Sequence, residues 1–192
     1  EKLSQKRGNI VTDDIISAFD VEALSDEFFD KYKQHYEEFV EYITGKRYVK
    51  KGNKWEEKAI HEPHPQMYAD FGCDDKLVRD YVKKMMGRIV FLHFLQKKGW
   101  MGVSADKEWG DGDLQFMKHL FDNAKEEQKN NFLDLVLEPL FVALDTNRAD
   151  NNFLSDTITM GTLRVPYLNG GLFTCDDLDK VDTKFPREMF EN

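Results

Sequence analysis

Apolar residues recur every three or four positions through three long stretches of this chain, the spacing of an α-helix with one buried face. The longest is DKLVRDYVKKMMGRIVFLHFLQKKGW, Asp75 to Trp100, in which Leu77, Val78, Tyr81, Val82, Met85, Ile89, Leu92 and Leu95 share a stripe. Asp74 or Asp75 supplies an N-cap oxygen for the unpaired amides of the first turn. Lys97, Lys98 and Gly99 form a stop signal: cations beside the free carbonyls, then a residue that accepts the left-handed cap. The first half of the helix is amphipathic. The second, Ile89 to Leu95, is apolar almost all round, which predicts a helix that starts at the surface and ends enclosed by others. That run is far short of the roughly 20 residues needed to cross a bilayer.

A second stripe, Val21, Leu24, Phe28, Tyr32, Tyr36, Phe39, Val40 and Ile43, predicts a helix from about Val21 to Thr44, ended by Gly45. Its other face, with Glu22, Asp26, Lys33, Glu37 and Glu41, reads as solvated. Thr12 caps a short helix ahead of it, DDIISAF, with Ile15, Ile16 and Phe19 facing inward. A third stripe, Leu133, Val136, Leu137, Leu140, Phe141 and Leu144, predicts a helix from near Glu126 to Leu144. Pro139 should kink it, because proline removes an amide donor and clashes one turn back. Asp111 or Asp113 caps a short helix through Phe116, Leu120 and Phe121.

Between the first two long helices the pattern breaks, over residues 46–72. KRYVKKGNKWEEKAI reads as a small hairpin about Gly52-Asn53, and HEPHPQMY as loop, because its two prolines oppose regular structure. After residue 145 the chain turns polar. LRVPYLNGGLF looks extended with a turn at Asn169-Gly170-Gly171, and residues 161–192 form an extended, acidic segment with a helix start at Pro186. The expected class is mainly α: one helical domain over residues 1–192, an irregular bundle around a long central helix, with at most a small β-hairpin and extended segments.

Composition narrows the function. Of 192 residues 41% are hydrophobic, with 15 Phe, which is enough for a packed core. The net charge of −9 means that the surface as a whole does not attract nucleic acid, so any such contact needs a local patch. Cys73 and Cys175 imply no disulfide framework, which favours a reducing, cytoplasmic setting. No signal peptide or membrane span is visible. Both ends, Glu1 and Phe190-Glu191-Asn192, read as cuts in a longer protein.

One patch meets the charge requirement. Lys46, Arg47, Lys50, Lys51, Lys54 and Lys58 put six cations in one short stretch, interleaved with Tyr48 and Trp55. Cations suit phosphates and aromatic faces suit bases, so these cations and Trp55 are the candidate DNA-binding residues. A lysine-rich hairpin that resists edge pairing has the same composition.

Other residue groups are less complete. Glu56-Glu57-Lys58 and Asp74-Asp75-Lys76 carry the carboxylate-x-lysine spacing of metal-dependent nucleases, but that chemistry needs a further Asp on a neighbouring strand, and no such sheet is indicated. His61, His64 and Cys73 make half of a zinc ligand set. His93 reads as a core histidine that donates to an acceptor. Arg88 needs a buried partner, Glu138 or another carboxylate on a facing helix, because an unpaired buried charge is very costly. Gly87 beside it suggests a close helix approach. G-x-x-x-x-G-K-[ST], G-x-S-x-G and H-E-x-x-H are all absent, so no catalytic, cofactor-binding or metal-binding residue is assigned.

Taken in order, FDVEALSDEFFDKYKQHYEEF (19–39), GRIVFLHFLQKKGWMGV (87–103) and LEPLFVALDTNR (137–148) leading to VPYLNGGLF (165–173) resemble the helical region of single-chain, type IIG restriction-modification enzymes and related large adenine-specific DNA methyltransferases. FLHFLQKKGW and YLNGGLF are the most specific parts. The resemblance implies a helical connector that follows a nuclease segment in some members and precedes the methyltransferase domain that binds S-adenosylmethionine. The [ND]-P-P-[YF] motif and the glycine-containing cofactor loop of such domains do not occur here, and Asn169-Gly170-Gly171 lacks the prolines and aromatic ring that hold a flipped base. No catalytic residue is therefore carried over. The expectation is a connector without an active site or cofactor of its own. S-adenosylmethionine, and Mg²⁺ where a nuclease is present, belong to the parent protein. The partners are DNA, met through the parent protein, and the adjoining methyltransferase and nuclease domains; no membrane is involved. The alternatives are a metal-dependent nuclease fragment and a helical protein-interaction module unrelated to DNA.

Overall fold

The computed structural model describes residues 26–147, 152–154, 163–168 and 170–191. The DDIISAF helix, the start of the Val21 stripe and Asn169 lie outside them. Helix α1 (Asp26–Thr44) buries Phe39, Val40 and Ile43. It ends at Gly45, where φ is +71° and an added Cβ would run into the His61 carbonyl. Strands β1 (Lys46–Lys51) and β2 (Lys54–Ala59) then form the antiparallel hairpin around Gly52-Asn53, with Lys51 opposite Lys54.

The HEPHP segment is not all loop. Helix α2 (Pro65–Asp70) begins at its second proline, and the His64 side chain accepts from the Met67 amide at 3.2 Å. Proline is tolerated in a first helical turn because the amide it lacks would have no partner there.

The spine is α3 (Asp75–Lys97), about 34 Å long at 1.5 Å per residue. The Asp74 carboxylate accepts from the amides of Lys76 and Leu77 at 2.7 and 3.3 Å, and Gly99 takes the left-handed turn at φ +68°. Val78, Tyr81, Val82, Met85, Leu92 and Leu95 are buried as the stripe predicts, but Leu77 is exposed. The apolar second half is not fully enclosed: Ile89 and Val90 are half-buried. Gly87 has no neighbour within 4 Å of an added Cβ, so it mediates no close helix approach.

The glycine- and tryptophan-rich turn folds back on the end of α3. Gly99 O accepts the amides of Gly110 and Gly112 at 3.0 and 2.8 Å, with Trp100, Met101 and Val103 buried beneath. Helix α4 (Phe116–Asp122) follows, and Asp113 binds the Gln115 amide at 2.8 Å ahead of it. The helix expected over 126–144 comes in pieces: α5 (Glu126–Lys129), a π-helical turn over Leu133–Leu137, and α6 (Glu138–Asp145). Pro139 is the physical reason for the wide turn. It cannot donate to the preceding turn, and the π geometry absorbs that loss while Leu133, Val136 and Leu137 stay buried.

A second short antiparallel pair joins β3 (Asn152–Leu154) to β4 (Leu163–Val165). The C-terminal segment contains 3-10 turns at Leu178–Lys180 and Arg187–Met189 and packs back on the bundle. Phe185 meets Phe39 with ring centroids 4.9 Å apart, and Phe190 meets Phe132 at 5.5 Å. The fold is mainly α with a small antiparallel hairpin. No helix among the described residues is long and apolar enough to cross a membrane.

Candidate nucleic-acid interface

The hairpin is rooted at the end of α1. The amides of Ile60 and His61 both donate to Gly45 O, at 2.8 and 3.2 Å, and the Lys46 amide donates to Thr44 Oγ1 at 3.1 Å. Strand alternation then sorts the side chains into two sets. Lys46, Tyr48 and Lys50 lie opposite Ala59, Glu57 and Trp55; Arg47, Val49 and Lys51 lie opposite Lys58, Glu56 and Lys54. The seven candidate residues therefore do not share one face.

The first set reaches the helices. Lys46 pairs with Asp75, whose carboxylate also accepts from the Tyr68 hydroxyl at 2.7 Å. Burial pushes the Asp75 carboxyl up, but the hydrogen bonds from Lys46 and Tyr68 outweigh it and hold the group below the usual carboxylate range. The Arg79 guanidinium donates to Glu57 at 3.0 Å and lies over the Tyr48 ring at 4.5 Å. Lys33 sits 4.0 Å from the centre of the Trp55 ring. In the second set Arg47 pairs with Glu41, and Lys51 lies 3.4 Å from Glu56 in the open.

Lys46 and Arg47 are thus anchors, engaged inside the molecule. Lys50, Lys54 and Lys58 are exposed and have no ion pair among the described residues. Trp55 keeps 55% of its surface in solvent, on the same face as Lys50 and opposite to Lys54 and Lys58. The polar face of α1 is not simply solvated, since Lys33 and Glu41 both serve the hairpin. The sequence signal for this was six cations directly following a helix face that carries Glu37 and Glu41 at helical spacing.

The other singled-out residues separate. Asp74 is spent on the α3 cap, Glu56 pairs with Lys51, and the sheet at 46–59 has two strands. No neighbouring strand there supplies a further carboxylate among the described residues, so neither carboxylate-x-lysine triplet is completed. His64 caps α2, the His61 ring lies against Glu62 O at 2.7 Å, and Cys73 is exposed. No group of three or more His, Cys, Asp or Glu residues is placed to hold a metal ion among the described residues.

Arg88 is partnered, though not as expected. It donates to both oxygens of Asp179 at 2.7 and 3.0 Å, and to the carbonyls of Leu172 and Thr174 at 2.8 and 3.0 Å. Its carboxylate comes from a 3-10 turn and not from Glu138 on α6. Glu138 is instead half-buried, and burial, followed by the nearby charges of Asp134 and Asp179, pushes it up to about 7. Asp134 is pushed up to about 6, first by burial and then by the Asp182 carboxyl beside it. The Tyr81 hydroxyl donates to Thr183 at 3.0 Å, which donates to Asp134 at 3.1 Å.

His93 accepts where the sequence suggested that it donates. Gln96 Oε1 takes the Met117 amide at 2.9 Å, so its amide nitrogen donates to His93 Nδ1 at 3.0 Å. The ring is exposed yet set in a concave wall, and the surrounding protein holds its pKa below the ordinary histidine value.

Compared with protein-family models, with curated proteins and with solved structures, the chain matches none of them.

Proposed function

We propose that this chain is a helical connector of a DNA restriction-modification adenine methyltransferase, and that its hairpin steadies the parent protein on the DNA backbone. The likeness of FLHFLQKKGW and YLNGGLF to that region of type IIG enzymes supports the first part. The observation that carries the second is the hairpin. Lys50 stands exposed on the face of a half-exposed Trp55 and Lys54 and Lys58 stand exposed on the other face, on a ribbon tied at its root. Such an arrangement supplies phosphate contacts and a stacking face without a base-reading set, so the contact is non-specific and salt-dependent.

S-adenosylmethionine binding and methyl transfer belong to the adjoining domain. Titration of the chain with S-adenosylmethionine should give no heat of binding, and micromolar affinity would defeat the connector reading. Fluorescence anisotropy with a short duplex tests the hairpin. Changing Lys50, Lys54 and Lys58 to Glu together should weaken binding and lower the salt slope by about 3, at about 0.9 per phosphate contact. Unchanged affinity and slope would show that the contact lies elsewhere.

A further inference from the structure

The two faces of the hairpin differ in kind. One carries Arg47, Val49, Lys51, Lys54, Glu56 and Lys58, and has no aromatic ring. The other carries both rings, Tyr48 and Trp55, set diagonally across the two strands. The first face can offer a nucleic acid only cations. The second offers cations and a flat surface.

The two rings are not equivalent. Tyr48 is covered by the Arg79 guanidinium, which lies 4.5 Å from its centre and is fixed by its bond to Glu57 at 3.0 Å. Trp55 keeps 55% of its surface in solvent, against 2% for Trp100 in the core. The area it leaves in water gains nothing from burial, so folding alone does not account for so large a ring at this position. Among the described residues its one ring contact is the Lys33 ammonium, 4.0 Å from the ring centre. Lys50 lies directly opposite Trp55 on the neighbouring strand. Lys33 and Lys50 are exposed, and neither has an ion pair among the described residues. An ammonium has three donors, so one that lies over a ring keeps N–H groups for a second acceptor. The nearby carboxylates are engaged: Glu57 accepts from Arg79, and Glu37 accepts from the Tyr48 amide at 3.4 Å.

An open ring between two free cations fits one nucleotide unit, with the base on the ring and the phosphates on the ammonium groups. In a duplex each base is already stacked on both sides. A base has to leave that stack before it can lie on Trp55. We propose that the Trp55 face of the hairpin binds unpaired, single-stranded DNA, with a base stacked on Trp55 and its phosphates held by Lys33 and Lys50. This rests on the reading of the hairpin as a DNA contact, and it assigns a different form of DNA to each face. The face with Lys54 and Lys58 meets phosphates alone, and the Trp55 face takes a strand with its bases free.

The test uses the full chain with a short oligodeoxythymidine and a blunt duplex, compared by fluorescence anisotropy at matched salt. The parent chain should bind the single strand several-fold more tightly than the duplex. Trp55→Ala should weaken strand binding about tenfold and remove that preference, while Trp55→Phe, which keeps a stacking ring, should retain most of it. Lys33→Gln should lower the salt slope for the strand by about 0.7, the value of one phosphate contact on a single strand. The strand should also quench the indole emission of the parent chain, and that quenching should be missing in Trp55→Phe. A duplex bound as tightly as the strand, or a preference that survives Trp55→Ala, overturns this inference and leaves the phosphate contact in place. An unchanged slope in Lys33→Gln, or quenching that persists in Trp55→Phe, overturns it too. Binding of neither oligonucleotide overturns both this inference and the DNA contact on which it rests.

Discussion

Two arginines on α3 hold two excursions of the chain by the same chemical device in different surroundings. Arg79 pairs with Glu57 and covers the Tyr48 ring, tying down the hairpin. Arg88 pairs with Asp179 and lies 5.0 Å from the centre of the Phe141 ring, tying down the C-terminal segment. The Arg79 and Glu57 side chains keep 14% and 36% of their surface in solvent; those of Arg88 and Asp179 keep 3% and 8%. Water screens the first pair and is largely absent from the second. The same contact is therefore a weak, displaceable clasp at the hairpin and a structural requirement at the C-terminal segment. An exposed ribbon suits the first arrangement, and a core suits the second.

Arg88→Ala should have the largest effect. Among the described residues it leaves Asp179 with only Lys84 as a cationic partner and strands the Leu172 and Thr174 carbonyls, so a loss of about 3–5 kcal/mol is expected in urea unfolding. A much smaller loss would show that water reaches Asp179 and would erase the contrast. Leu92→Ala removes a side chain with no exposure on the same helix and should cost about 2–5 kcal/mol. A cost near zero would mean that the spine buries a different face.

The next effect depends on pH. Glu138 has a folded pKa of about 7 against an ordinary 4.5, so the folded state holds its proton more tightly than the unfolded chain. Its contribution is intact below about 4.5 and is lost as pH rises towards 7. Asp134, raised to about 6, acts in the same direction. Glu138→Gln should therefore unfold at a denaturant midpoint that falls less between pH 5 and 7 than that of the parent chain; parallel profiles would show that Glu138 titrates normally. Asp179 works the other way. Burial opposes its charge, but the hydrogen bonds from Arg88 and Lys84 win, so its stabilisation is lost only as pH falls below the usual carboxylate range.

Arg79→Ala should have the smallest effect, about 0–1 kcal/mol, with the near-ultraviolet signal of Trp55 and Tyr48 altered more than the midpoint. If it costs as much as Arg88→Ala, the hairpin belongs to the core and the contrast fails.

Much of the local architecture was legible because it depends on residues a few positions apart. The stripe of α3, its Asp74 cap, the Gly45 and Gly99 stops and the Gly52-Asn53 turn are all decided within a turn or two of chain. Two of the local differences concern proline. Pro65 starts a helix instead of forbidding one, and Pro139 widens a turn where a simple kink was expected. In each case the outcome depends on where the proline falls relative to a helix start or a buried stripe. The hairpin's cations were visible as a cluster. Strand alternation and the carboxylates of Glu41 and Asp75 then separate anchors from free lysines.

By itself the sequence determined the two longest helical stretches, where the hairpin turns, and that Arg88 must have a partner. It could not say which carboxylate answers Arg88, because Asp179 lies 91 residues away and only the folding of the C-terminal segment onto α3 brings the two together. Nor could it foretell that Ile89 and Val90 line a hollow, since an apolar side chain is written the same way whether it meets a packed neighbour or an open recess. Those two facts belong to tertiary packing, where the energy of a side chain is set by what surrounds it in space.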